Sequence, residues 1–249
     1  MKDLVRVAAV ADLHCAKNSQ AALQAIFAQL DDRADLLLLA GDLTDYGLPE
    51  EARVLAKELT AVKVPIVAVL GNHDFESDKQ DEVTQILADS GVRVLDGDAC
   101  EVQGVGVAGV KGFAGGFGER ALGPWGEHAI KAFVHEAVNE ALKLETALAR
   151  LRTPQRIALL HYSPIEATVR GEPPMIYPFL GSSRLEDPLN RYPVTAVFHG
   201  HAHHGTAEGR TKSDVPVYNV ALPCLRATLG DAPPVRIVEL KTSASAAAA

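Results

Sequence analysis

Apolar runs that alternate with helical patterns predict an α/β chain with a largely parallel core. Three observations support this. Strand-length runs rich in Val, Leu and Ala recur at residues 4–11, 36–40, 64–70, 156–160 and 194–198. Helix-start signals or helical spacing fill several of the intervals. The residues that carry chemistry gather just behind the runs, where open parallel sheets expose their carboxyl ends.

Each element follows in order. Residues 4–11 read as the first strand. Asn18 or Ser19 can cap a helix whose Leu23, Ile26, Phe27 and Leu30 fall at i, i+3, i+4 and i+7. After the strand at 36–40, Pro49 suits the first turn of a helix, with Glu50 and Glu51 favourable at its positive end. The strand at 64–70 leads to a helix from about Ser77, closed by Gly91. Residues 92–118 are rich in Gly and Val, alternate at Val102, Val105 and Val107, and read as strands and turns. Gly104, Gly106 and Gly109 form a G-x-G-x-x-G, but it sits in that alternating pattern and opens no helix, which argues against a dinucleotide loop. Residues 127–152 form the longest helical pattern, with Leu142, Leu144, Leu148 and Leu151 as its apolar positions. Strands at 156–160 and 194–198 follow, then closing strands at 215–221 and 235–240. The six prolines of residues 164–193 predict irregular surface structure, and the tail at 241–249 reads as disordered. The expected organisation is one domain over 1–240, with 111–191 as a substrate-side insert.

A hydrophobic fraction of 47% and a charged fraction of 22% suit a globular chain. The formal net charge of -8 argues against a basic nucleic-acid-binding face, although a metal cluster can supply local positive charge. Cys15, Cys100 and Cys224 are widely spaced and form no CxxC, so they read as reduced thiols of a cytoplasmic protein. No apolar run approaches the ~18 residues of a membrane span. The first residues resemble a secretory signal only weakly: the apolar stretch is short, and Arg6 interrupts it.

Five motifs sit just after apolar runs: D-L-H at Asp12–His14, G-D at Gly41–Asp42, G-N-H-D at Gly71–Asp74, His161, and G-H-A-H at Gly200–His203. Parallel-sheet topology would bring them together. Imidazole, carboxylate and amide oxygen suit Mn, Fe or Zn. Asp42 has two oxygens with which to bridge two ions. An extended D-x-H or H-x-H points both side chains to one side. A four-residue G-N-H-D arises by chance in roughly one chain in a thousand of this length, so its place among the other motifs argues against coincidence. Trp125 can line the pocket or pack the domain, with packing favoured; His128 and His135 read as surface or packing residues, and His199 and His204 as neighbours of the cluster. Ser163 has no partner arrangement for a nucleophile.

This set resembles the calcineurin-like metallophosphoesterases, whose pattern is D-x-H, G-D, G-N-H-(D/E), H and G-H-x-H; every element occurs in order between residues 12 and 203. The resemblance implies a four-layer αββα sandwich of two mixed β-sheets flanked by helices. It implies one divalent transition ion (Mn, Fe or Zn) on Asp12, His14, Asp42 and His203, and a second on Asp42, Asn72, His161 and His201. Asn72 and His73 would contact the phosphate, His73 would protonate the leaving group, and Asp45 would orient His73. Tyr46 replaces the Arg of the protein-phosphatase pattern, and Asp74 its Glu, while the full G-H-A-H is similar to the phosphodiesterase and nuclease branches. The expected activity is hydrolysis of small phosphodiesters by water activated between two ions. A phosphomonoesterase, a nuclease and a non-catalytic scaffold are the alternatives.

Overall fold

The structure is a computed structural model that describes residues 3–19, 23–27 and 30–242. Eleven strands are present among these residues: β1 (Leu4–Val10), β2 (Leu36–Ala40), β3 (Ile66–Val69), β4 (Val92–Val94), β5 (Asp98–Val102), β6 (Val105–Val110), β7 (Gln155–Leu160), β8 (Ala196–His199), β9 (Glu208–Arg210), β10 (Pro216–Asn219) and β11 (Arg236–Lys241). They form two mixed sheets, β11-β1-β2-β3-β4 and β5-β6-β7-β8-β10-β9. The inner strands are parallel, and β11, β5 and β9 are antiparallel edges.

Alternation in the second sheet explains the layering. Ile157 and Leu159 join the large core shared with the first sheet, while Ala158 and Leu160 join a second core under the helices. All five residues of β2 are buried, as expected for a strand covered on both faces. Each fully buried Leu there contributes about 1.5–3 kcal/mol relative to exposure.

The helices are α1 (Gln24–Phe27), α2 (Leu30–Arg33), α3 (Pro49–Leu59), α4 (Gln80–Asp89), α5 (His128–Arg150), α6 (Tyr177–Leu180), α7 (Glu186–Arg191) and α8 (Leu222–Leu229). Pro49 opens α3, and the Glu51 carboxylate reaches back to the amides of Leu48 and Tyr46. On α5, Ala137, Glu140, Leu144, Ala147 and Leu148 make the buried stripe. Leu142, expected among the apolar positions, is exposed because it projects from the other face. The helix expected from residue 18 or 19 is seen as α1 and α2; residues 20–22 and 28–29 lie outside the described residues, as do residues 243–249 of the expected disordered tail.

Two expectations change. Residues 164–193 are not simply surface: Thr168, Val169, Ser182, Leu185 and Leu189 are buried. The prolines start short helical turns here (Pro174–Ile176 and α6), so they punctuate packed structure. The short β9 and α8 carry no strong sequence signal; α8 has Pro223 in its first turn and packs Leu222, Cys224 and Leu225 inward.

Candidate metal centre

The five motifs meet at the carboxyl ends of β1, β2, β3, β7 and β8, across the seam between the sheets. After β1 the chain runs beside the segment after β2: Asp12 N donates to the Gly41 carbonyl, His14 N to Asp42 and Cys15 N to Leu43. Asp12, His14, Asp42 and His201 all have positive φ, between 42° and 69°. Such backbone is uncommon outside glycine and gathers at functional sites. The motif glycines leave room for neighbouring motifs. A Cβ on Gly41 would lie 2.5 Å from His161 Nδ1, one on Gly200 2.5 Å from Asp12 Oδ2, and one on Gly71 would strike Asp42.

Donor atoms fall into groups. Asp12, His14 and His203 form one, and Asp42, His161 and His201 another; within each, donor atoms lie within 4.8 Å of one another. His203 Nε2 is 3.0 Å from Asp12 Oδ1. His161 Nε2 is 3.0 Å from Asn72 Oδ1 and 3.3 Å from Asp42 Oδ1. Asp42 sits between the groups, its other oxygen facing His14 Nε2 at 3.9 Å. That buried His14 nitrogen has no hydrogen-bond partner. His161 Nδ1 faces the Ala40 carbonyl at 2.9 Å and His201 Nε2 the Phe179 carbonyl at 3.2 Å. A carbonyl only accepts, so each ring donates there, and His161 turns its Nε2 toward Asp42 and Asn72.

The charges are strongly coupled. Burial penalises the Asp42 carboxylate, yet His161 and the His73 amide hold it well below the usual carboxylate range. Burial lowers His161, but the Asp42 carboxylate outweighs it and raises the ring to about 9. Burial, then His161, push His201 down to about 4. His14 is lowered by burial, and His203 is raised chiefly by its hydrogen bond to Asp12.

His73 sits at the rim with its ring edge 4.6 Å from the His14 ring, centroid to centroid. Its Nδ1–H donates to the Asp45 backbone carbonyl at 2.8 Å. Asp45, expected to orient His73, therefore reaches it through the main chain; its carboxylate lies 3.5 Å from His14 Nδ1. The turn after Thr44 sets the carboxylate between two rings: with His14 and His73 it forms a further group whose donor atoms lie within 4.8 Å of one another.

The sequence assigns no supporting role to Asp74 and does not mark Asn219. Asp74, fully buried, accepts from the amides of Leu43, Thr44 and Gly71 and from the Thr44 hydroxyl, locking the G-D and G-N-H-D loops together. Asn219 donates to the Ala202 carbonyl and so holds the G-H-A-H loop. Its place at the end of β10, behind an apolar run, is the same signal that marked the motifs. His199 is buried beneath that loop, donating to the Gly200 carbonyl and accepting from Thr168, and burial pushes it down to about 4. His204 is exposed. Ser163 is buried and bonds to Ile165 and Thr168. The three cysteines are free and buried, Cys15 being pushed up to about 12 by burial.

A two-sheet sandwich with histidines, carboxylates and an amide collected at its strand ends defines an α/β protein with a candidate site for divalent cations. The match of residues 5–205 to the calcineurin-like phosphoesterase family model makes the relation specific. The chain belongs to the calcineurin-like phosphoesterase family. A Synechococcus protein described as a probable cyclic nucleotide phosphodiesterase is 37% identical over 78 residues, 27% of this chain and 31% of that relative; the match thus spans about a third of the relative's length. Phosphopantetheinyl hydrolase from Mycobacterium tuberculosis is similar in structure, with a TM-score of 0.68 at 16% identity, covering 96% of this chain and 97% of that one. GAP50, described as the anchor in the inner membrane complex of Plasmodium, has a TM-score of 0.51 at 15% identity over 90% of this chain and 73% of its own. These structural likenesses concern the fold.

Proposed function

We propose that the chain is a phosphoester hydrolase that works with two divalent ions on small phosphodiesters. One observation carries the reading: Asp42 turns one oxygen toward His161 and the other toward His14, at the junction of two donor groups. Asp12, His14, Asp42 and His203 would hold one ion, and Asp42, Asn72, His161 and His201 the other. The donor set fits Mn, Fe or Zn, and the partnerless His14 Nε2 is a buried nitrogen in want of a ligand.

Divalent ions held by these residues would supply positive charge to the phosphoryl oxygens and lower the pKa of a bound water. The residues of the chain do the rest. The Ala40 and Phe179 carbonyls fix the His161 and His201 rings. Asp45 orients His14 through its carboxylate and His73 through its carbonyl. With Nδ1 committed to that carbonyl, His73 has Nε2 left to contact the phosphate and pass a proton to the departing oxygen. Asn72 assists at the phosphate. The loops of residues 111–191 would supply the substrate-side wall, while β7 and the buried stripe of α5 belong to the core. In a chain of net charge -8, the cation site is what makes an anionic substrate welcome.

The complete G-H-A-H and the Synechococcus relative's description support the diester preference. A protein described as an anchor has a similar fold, so the fold does not choose between enzyme and scaffold; the intact donor set favours an enzyme. The test is a manganese-supplemented panel of bis(4-nitrophenyl) phosphate, 4-nitrophenyl phosphate, cyclic nucleotides and DNA. Chelator-sensitive turnover that is fastest on small diesters is expected. Metal-loaded protein inert toward the whole panel would overturn the enzyme reading, and faster monoester turnover would replace the diester one.

A further inference from the structure

Resting on that reading, we propose that an apolar cavity beside His201 binds an aromatic ester group of the substrate. The cavity, about 530 Å³, lies between the segment after β6, the start of α5 and α6. Leu122, Trp125, Ile130, Phe133 and Phe179 line it, with Arg120 as its cation. The volume is that of a small-molecule site.

Phe179 ties this cavity to the donor cluster. Its ring lines the cavity and its carbonyl accepts from His201 Nε2 at 3.2 Å. His201 thus touches both the donor cluster and the segment that walls the cavity, and an ester arm passing the His201 ring would enter the cavity. Trp125 is 63% exposed and Phe179 60%, large apolar surface for rings not packed into the core. Of the two sequence readings of Trp125, the cavity-lining one fits: the loop of residues 121–127 carries the indole outside the stripe of α5 that meets the second sheet. Offset or edge-on stacking against such rings favours a planar aromatic group. Arg120 adds charge complementary to a phosphoester, on a chain whose overall charge is negative.

The test uses two diesters with one leaving group, phenyl 4-nitrophenyl phosphate and methyl 4-nitrophenyl phosphate, on the full metal-loaded chain. The quantity read is the ratio of their kcat/KM values. In Trp125→Ala and Phe179→Ala this ratio should fall by about tenfold relative to wild type, the scale of one lost aromatic contact. Leu142→Ala, at an exposed apolar residue elsewhere on α5, serves as the control and should keep the ratio. Trp125 is the single tryptophan, so its fluorescence reports binding without catalysis. Diphenyl phosphate should shift its emission saturably, and dimethyl phosphate should not.

An unchanged ratio in both variants, with the methyl ester still hydrolysed, would overturn the aromatic subsite and leave the hydrolase reading standing. Absence of turnover for both esters would sink the hydrolase reading, while the fluorescence titration still decides the cavity. Sedimentation covers the other occupant: wild-type self-association lost in Trp125→Ala, with no diphenyl phosphate binding, would make the cavity an interface between copies and overturn the proposal.

Discussion

His161 Nε2 lies 3.0 Å from Asn72 Oδ1, a contact between the end of β7 in one sheet and the turn after β3 in the other. The Asp12–His203 contact, also 3.0 Å, crosses the same seam from β1 to β8. Neither donor group exists within a single sheet. Metal binding at these groups would therefore be coupled to the packing of one sheet on the other.

That coupling predicts metal-dependent stability. Two divalent ions per chain should bind, and a concentration 100 times the Kd should stabilise by about 2.7 kcal/mol per site. Calorimetry with and without chelator would measure it, alongside loss of hydrolysis. A single tight ion with full activity would eliminate the two-ion reading.

Asp42→Ala should weaken both ions together, because its two oxygens face different groups. His14→Ala should mainly weaken one. Metal analysis after dialysis distinguishes these patterns, and equal loss of one ion from each variant would count against the bridge.

Metal affinity should rise with pH. In the metal-free protein the Asp42 carboxylate holds His161 protonated up to about 9, and an ion must displace that proton. Proton release on metal addition at pH 7 should thus be measurable in buffers of different ionisation enthalpy. The stability of the metal-free protein moves the other way. The raised His161 value contributes stability that is complete below its unfolded value of about 6.5. That contribution is lost as pH rises through about 9. The depressed Asp42 value stabilises above its unfolded value of about 3.9, and this is lost in acid. Metal affinity independent of pH between 6 and 9 would contradict the linkage.

His73→Asn should slow an alkyl phosphoester by about 10²–10⁴-fold if the ring protonates the leaving oxygen. A nitrophenyl ester, whose leaving group needs less help, should slow distinctly less, with metal content unchanged. The same factor on both esters would make His73 a phosphate-binding group instead of the acid.

Asp74→Ala should destabilise by about 3 kcal/mol or more, since several buried donors lose their acceptor. Urea denaturation would read this, and a loss under 1 kcal/mol would show that the two loops do not depend on the carboxylate.

Much of the architecture was legible because parallel β units print their period and their strand ends on the chain. The runs at 36–40 and 156–160 became β2 and β7, and the motifs behind them stand at the strand ends that sheet topology requires. G-N-H-D and G-H-A-H were visible as strings because each packs its donors, and the glycine that makes room for another motif, into four residues. Pairing of donors was not visible. His203 meets Asp12 across 191 positions, and the side chain of Asp45 faces His14 while its carbonyl serves His73. Such choices depend on how two sheets pack and on which way a turn throws a side chain. The same holds for Trp125: the sequence leaves an indole between packing and pocket lining, and only the neighbouring Phe133 and Phe179 make it a cavity wall. Local order is encoded in short-range periodicity, whereas long-range juxtaposition is decided by packing, which brings together residues that no local pattern relates.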